Sequence, residues 1–471
     1  MHMYKSDALY QALLKYSFDL FRGNDGITKY ISDHLKKYHE DIMSAINDSN
    51  PFLGNECVTH LKSKLIILSE ICGDISAILT SFDDGLIKDA YNQSDVLFEK
   101  IKPYLNYCFA TQGRFGNYYR IRSGDFRISD PATSKVKKAE LFHIKREKRN
   151  CIGAYRYSVA GYPCLYLASD VELAWFESGM PRQFSYCNML MNEVSDDPLK
   201  LINFSIRPVM LLSYINTELL NKRNKHETET PIYNLLLNYI LTYPIAATCS
   251  VKVKDRNSKF VEEYIFPQLF MQWIRESNDF DGILYKSSLN TNLVNGMGAV
   301  NVAFPVKQFR GDGLDKRLCQ KISISDIGYF DVGKYFEKYQ NILQEIIAYK
   351  NELQQFLIDT TFFDPSLVEL IELCDCIVKT YTSLIEGEYK NSDLLFTHIN
   401  SLCDHAESLY QNRSAVTQRC IVQSKPGQTL PINQDIIEKQ FERFHELCGQ
   451  VLHKHTVFHF DFEPVQNLEK I

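Results

Sequence analysis

Apolar residues change their spacing twice along this chain, and each change limits what the segment around it can become. Near the start they recur in helical steps: Leu9, Leu13, Tyr16 and Leu20, then Leu61, Leu65, Leu68 and Cys72, then Leu97, Ile101 and Tyr104. Each set gives a helix one apolar stripe, so this end is expected to fold as a small helical bundle, with Gly23 and Gly73 as helix stops. The middle instead carries short β-type runs separated by turns: Tyr118 to Ile121, Cys164 to Ala168, Leu201 to Ser205, Thr248 to Val253, Gly282 to Tyr285 and Ala299 to Phe304. Helical runs, Val171 to Glu177 and Ile232 to Leu241, fall between them without the regular alternation of a doubly wound sheet. An α+β fold is expected.

From Val332 the helical spacing returns. Tyr339, Ile342, Ile346, Tyr349, Leu353 and Phe356 form one stripe. Leu367, Leu370, Cys374, Ile377 and Tyr381 form a second, after an Asp364-Pro365 start. Ile437, Phe441, Phe444, Cys448 and Val451 form a third, beyond a break at Ser424-Lys425-Pro426-Gly427. Each seam is too short for a long coiled coil, so packing within one bundle is the expectation; the same seams could join copies into a homo-oligomer. The 471 residues suggest two or three domains, read as 1–112, 113–331 and 332–471. The first boundary follows the composition shift at Gln112-Gly113-Arg114-Phe115-Gly116.

Net charge is −6, which supplies no global basic field for nucleic acid. Lys135-Val136-Lys137-Lys138 and Lys145-Arg146-Glu147-Lys148-Arg149 read as solvated loops. Residues Met1 to Lys15 lack the apolar core of a signal peptide, and no run of about twenty apolar residues is present. The thirteen cysteines are odd in number and include no CxxC pair, which points to free thiols in a reducing cytoplasm without a membrane role. No metal site is expected: Cys374 and Cys376 fall on different sides of a helix, and His453, His455 and His459 lack a framing carboxylate or cysteine. Dinucleotide and phosphate loops of the GxGxxG and GxxxxGK[ST] types are absent, and Gly296-Met297-Gly298 and Gly311-Asp312-Gly313 read as turns.

Four central segments carry the chemistry. They are Tyr119-Arg120-Ile121-Arg122, Tyr155-Arg156-Tyr157-Ser158, Leu165-Tyr166-Leu167-Ala168 leading to Glu177, and Tyr285-Lys286-Ser287-Ser288 followed by Asn301. Arg120 and Arg156 offer permanently charged forks for phosphate oxygens, and Arg122 shares a strand face with Arg120. Tyr157 and Tyr166 offer rings and hydroxyls. Ser169-Asp170-Val171-Glu172 has the form of a capping box, which starts a helix at Asp170 and sets Glu177 about two turns in. A helical glutamate is by default solvated, but Leu173, Ala174, Trp175 and Phe176 surround this one, and a buried carboxylate needs a partner. Ser287 has no nucleophile elbow and reads as an orienting hydroxyl.

In order and spacing these segments resemble the RES domain, a family of NAD-degrading toxins named for its Arg, Glu and Ser. The resemblance covers roughly Tyr118 to Pro305 and includes Glu263-Tyr264-Ile265-Phe266-Pro267-Gln268 and Asp281-Gly282-Ile283-Leu284-Tyr285. It implies an ADP-ribosyltransferase-like fold and cleavage of NAD, as substrate and not cofactor, at the nicotinamide–ribose bond by water or phosphate. On this reading Glu177 stabilises the ribosyl cation, Arg120 and Arg156 bind the anionic end, and Tyr157 and Tyr166 shape the nicotinamide slot. Ser287 orients the substrate, while Arg122 and Asn301 bind or support it. An antitoxin or other regulatory protein would be the partner. The helices ahead of it are reminiscent of the HEPN-like domain of some RES proteins, without its nucleolytic motif: Arg22 has no histidine at the required distance. Two departures stand out: Tyr155-Arg156-Tyr157 replaces a Gly-Arg-Trp type run, and a long insertion separates Glu177 from Ser287. ADP-ribosyl transfer to a macromolecule, and an inactive NAD-sensing module, are the competing readings.

Overall fold

A computed structural model describes residues 7–16, 18, 20–47, 54–109, 117–127, 138–191, 197–225, 227–255, 258–288, 299–360, 365–388, 392–415, 434–452, 465 and 467–470. The motifs at 112–116, 135–137, 296–298 and 424–427, Asp364, and the histidines at 453, 455 and 459 lie outside the described residues.

The N-terminal helices are α1 (Ala8–Lys15), α2 (Ile27–Asn47), α3 (Gly54–Lys62), α4 (Ile66–Asp83) and α5 (Ile87–Ile101). Asp7 caps α1 by accepting the Tyr10 N–H at 3.0 Å. The helix stops at Lys15, short of the expected run, yet Tyr16 and Leu20 still enter the core. Gly73 does not end a helix: it sits inside α4, and the chain instead breaks at 63–65. Packing on the apolar face outweighs one glycine's helix cost of about 1 kcal/mol.

The central part contains strands β1 (Tyr107–Phe109), β2 (Tyr118–Ser123), β3 (Cys164–Ala168), β4 (Gln183–Met191), β5 (Lys200–Phe204), β6 (Gly282–Lys286), β7 (Val300–Pro305), β8 (Ile322–Ile324) and β9 (Gly328–Asp331), with β10 (Glu469–Lys470) returning at the end. Its helices are α6 (Lys138–Leu141), α7 (Val171–Glu177), α8 (Pro208–Lys225), α9 (Thr230–Ser250), α10 (Ile265–Glu276) and α11 (Lys316–Lys321). The C-terminal helices are α12 (Val332–Glu337), α13 (Gln340–Thr360), α14 (Pro365–Glu386), α15 (Ser392–Gln411) and α16 (Gln434–Val451). The fold is α+β, as expected, around one ten-stranded mixed sheet. Among the described residues no single helix is long and apolar enough to cross a membrane.

The central part also differs from the sequence reading. Thr248 to Val253 is not a strand: α9 continues to Ser250, because this helix is buried on nearly every side and tertiary packing overrides the β preference of Thr248. The nine-residue β4 carries little polar alternation because both its faces are covered.

The strand order is β1-β5-β6-β7-β3-β2-β4-β8-β10, with β9 on β4. Strands β5 and β6 pair in parallel, and the other described pairings are antiparallel. One seam is unusual. Strand β2 matches β4 through the whole run from Tyr118 to Ser123, and β3 matches β7 from Cys164 to Ala168, but β2 and β3 meet only at Tyr119 and Ala168. The sheet is therefore two half-sheets joined at one residue pair and splayed beyond it.

Burial follows this division. On one face a continuous core runs across both halves, with Tyr118, Leu167, Cys187, Leu284, Val302 and Ile324 among its members. On the other, two cores form. The N-terminal helices, α9 and α10 cover Ile202, Phe204, Ile283 and Ala303 of one half. The C-terminal helices and α7 cover Ile121, Phe184 and Tyr186 of the other.

Candidate active site

The splay between β2 and β3 opens a cavity of about 420 Å³, within the size range of small-molecule sites. Arg120, Arg122, Arg156, Tyr166, Glu177 and Asn301 all line it, although they lie on five separate stretches of chain. Ser287 is buried just behind the wall and reaches Glu177.

The acidic group is set by α7 and the strand register. Asp170, extended in backbone, caps the helix by accepting the Leu173 N–H at 2.6 Å, so the helix begins at Val171 and Glu177 is its last residue. Gly179, at φ +80°, then turns the chain out; its N–H and that of Met180 take up the carbonyls of Phe176 and Trp175. Leu173, Ala174, Trp175 and Phe176 are buried in the core, whereas Glu177 is exposed toward the cavity. Its Oε1 accepts the Ser287 hydroxyl at 2.6 Å and the Asn301 amide at 2.7 Å. The carboxylate, which if buried would need a partner, is instead accessible and held by two neutral donors. Oε2 accepts no hydrogen bond from the described residues.

Register explains how the donors arrive. Tyr285 lies opposite Asn301, Asn301 opposite Ala168, and Ala168 opposite Tyr119, so these four share one face in a row across β6, β7, β3 and β2. Gly282 is required at the start of β6: a Cβ there would lie 2.5 Å from the Ala303 carbonyl. Asp281 beside it accepts the Lys200 N–H at 2.8 Å and pairs with Arg317, which locks β6 to β5. Burial raises the Tyr285 phenol well above its ordinary value, and the neighbouring Glu177 charge adds to this.

The arginines differ in their commitments. Arg120 Nη1 donates to the Tyr166 carbonyl at 2.9 Å, across the splay where a ladder partner is missing. Its Nε is buried and meets no hydrogen-bond partner among the described residues. Burial pulls its guanidinium down to about 10, so it remains charged at neutral pH. Arg156 is a structural tie as well as a lining residue. It donates to the Cys249 and Val251 carbonyls at 2.8 and 3.0 Å and to the Ser288 hydroxyl at 3.1 Å, and lies 5.6 Å from the Tyr264 ring centre. Neither Arg120 nor Arg156 pairs with a carboxylate among the described residues. Arg122 does: it bonds the Glu140 carbonyl and lies 3.2 Å from the Glu140 carboxylate.

Tyr166 is anchored through its hydroxyl, which accepts the Tyr157 N–H at 3.2 Å and bonds Ser158 Oγ at 2.9 Å. Tyr157 does not line the cavity. It is 1% exposed, and its ring packs edge-on against Tyr285 at 4.7 Å. Tyr155 and Ser158 pair with each other in a tight turn, which sends Tyr155 to the cavity and Tyr157 into the core. Tyr119, Tyr155, Tyr264 and Tyr285 complete the aromatic lining, with Val253 and Ser288. Gln268 fastens the turn by donating to the Tyr155 and Ser158 carbonyls at 3.0 and 3.1 Å. Most of these residues stand in segments already singled out in the sequence. What marks them as lining is the turn geometry and long-range packing, not a local pattern.

The chain is similar to a protein of Bacillus subtilis (strain 168) named "Putative toxin YopC", with 31% identity over 315 residues. The match covers 64% of this chain, which in turn spans 66% of that protein's length. No family model matches the sequence, and no solved structure matches it. The similarity makes this chain a distant relative of a protein named as a toxin.

Proposed function

We propose that the cavity cleaves NAD at the bond between nicotinamide and ribose, and that the protein acts as a toxin by consuming NAD. One observation carries the reading: a carboxylate fixed by Ser287 and Asn301 shares a cavity with two arginines that have no acidic partner among the described residues. Breaking this bond builds positive charge on the ribose while nicotinamide departs neutral, so little acid catalysis is needed. Glu177 Oε2 supplies the negative charge beside the developing cation. Its position at the carbonyl end of α7 adds to the local negative potential. The Ser287 and Asn301 donors hold the carboxylate in place, so no reorganisation is needed as charge develops. Arg120, whose Nε has no hydrogen-bond partner among the described residues, binds the pyrophosphate, and Arg156 holds the wall beside it. The tyrosine rings stack on the nicotinamide and the ribose.

The toxin role is supported by the name of the relative and by the chemistry of the cavity. The RES resemblance supports it too, together with water or phosphate as acceptor. The test is incubation of the full chain with NAD, with and without phosphate, followed by product identification. Free nicotinamide with ADP-ribose supports hydrolysis, and ADP-ribose phosphate supports phosphorolysis. A labelled macromolecule would replace this reading with ADP-ribosyl transfer. Intact NAD from wild type, with binding unaffected by Glu177→Gln, would leave a sensor in its place.

A further inference from the structure

Arg22 has no histidine at nucleolytic distance, but two acidic side chains hold it. Its Nε donates to Glu263 Oε1 at 2.7 Å, and its Nη1 lies 3.3 Å from Glu262 Oε2. Glu263 is 2% exposed and also accepts the Lys254 N–H at 3.0 Å. Two backbone links run alongside: the Ile27 N–H donates to Glu262 at 3.1 Å, and the Lys252 N–H to the Leu20 carbonyl at 2.8 Å. The residues tied down this way are next to Val253 and Tyr264, which line the cavity, and Tyr264 lies against Arg156.

We propose that Arg22 is a positioning residue for the cavity: through Glu263 it fixes the wall that carries Val253 and Tyr264, and so couples the N-terminal helices to ligand binding. A buried carboxylate depends on its cation, and a fork that reaches two acidic groups is something lysine cannot reproduce. The ligand part of this proposal rests on the NAD reading of the cavity; the wall itself does not.

The experiment uses full-length Arg22→Gln and Glu263→Gln, with Arg22→Lys as the conservative variant, each checked by melting temperature. Two readouts are taken. The first is the KM for NAD against kcat. A rise in KM of about tenfold is expected for Arg22→Gln, with kcat within about twofold and Arg22→Lys between it and wild type. The second needs no NAD: alkylation of Cys164, which lines the same cavity, followed by peptide mass spectrometry. Burial pushes this thiol up to about 12, so wild type reacts slowly, and release of the wall accelerates labelling. Faster labelling without any NAD turnover in wild type upholds the brace and overturns the NAD reading. A lowered melting temperature with wild-type labelling overturns the brace and leaves Arg22 as a stabilising contact only. Should Arg22→Gln fail to fold, Arg22→Lys carries both readouts with the same outcomes.

Discussion

The two helical regions treat the sheet differently. The N-terminal helices join α9 and α10 in one core over β5, β6 and β7, and Arg22 reaches from them into the segment beside the cavity. The C-terminal helices share their core with α7 and the β2–β4 half, and they touch the cavity through α7, whose last residue is Glu177. One region braces the half that supplies Ser287, Asn301 and Arg156. The other seats the helix that supplies the acid. Glu177 accepts from Ser287 and Asn301 across the seam, so the carboxylate's geometry reports whether both halves are in register. A site built this way depends on two cores at once, which a site inside one half-sheet would not.

Truncating a core residue on either side should have the largest effect. Leu353→Ala is expected to cost about 2–5 kcal/mol. Hydrogen exchange should then accelerate in α13, α14 and α7 before the segment around Tyr264. Equal acceleration on both sides would mean that the two cores open together. Next is Glu177→Gln, which retains the acceptor for Ser287 and Asn301 but removes the charge. It should lower kcat by about 10²–10³-fold, measured as nicotinamide release, with the melting temperature nearly unchanged.

Acidification should separate the regions further. His34 of the N-terminal bundle lies 3.0 Å from the Tyr243 hydroxyl among the rings of Tyr16 and Tyr30. Burial, aided by the Lys37 charge, pulls its imidazole down from 6.5 to about 4. The folded value lies below the unfolded one, so as pH falls from about 6.5 to 4 the unfolded chain gains a proton that the folded chain does not. Stability is lost over that window, by at most about 3 kcal/mol, and by no more below it. Denaturant titrations of wild type and His34→Phe across this range should differ in slope; parallel curves would remove His34 as the cause. Arg156→Ala should be milder. It leaves the Cys249 and Val251 carbonyls short of a donor, at about 1–3 kcal/mol, and should raise KM with little change in kcat.

Much of the site was legible because its residue types are demanding. A glutamate ending an apolar run, arginines between aromatics and a polar residue after a short strand stand out locally, and Glu177, Arg120, Arg156, Tyr166 and Asn301 line one cavity. Tyr157 is assigned to the pocket by residue type and by the family resemblance, neither of which registers the tight turn that points Tyr155, not Tyr157, at the cavity. Strand β4 was missed because both its faces are covered, which removes the period-two signal. The splay between β2 and β3, like the contribution of Tyr264 and Val253, depends on which distant strands pair and for how long. Register of that kind leaves no mark in a local window. The end of α9 was lost for a related reason, since burial on all sides masks helical periodicity.

The core that α7 shares with the C-terminal helices also bears on how the chain can be trimmed. Trp175 and Phe176 are 2% exposed in it, and Phe184 is fully covered. A shortened protein ending before Val332 would bare much of this surface to water, a contiguous oily patch of the kind that drives self-association. Such a fragment should precipitate or form aggregates even with every cavity residue present, so poor behaviour of a minimal version would say nothing about its chemistry.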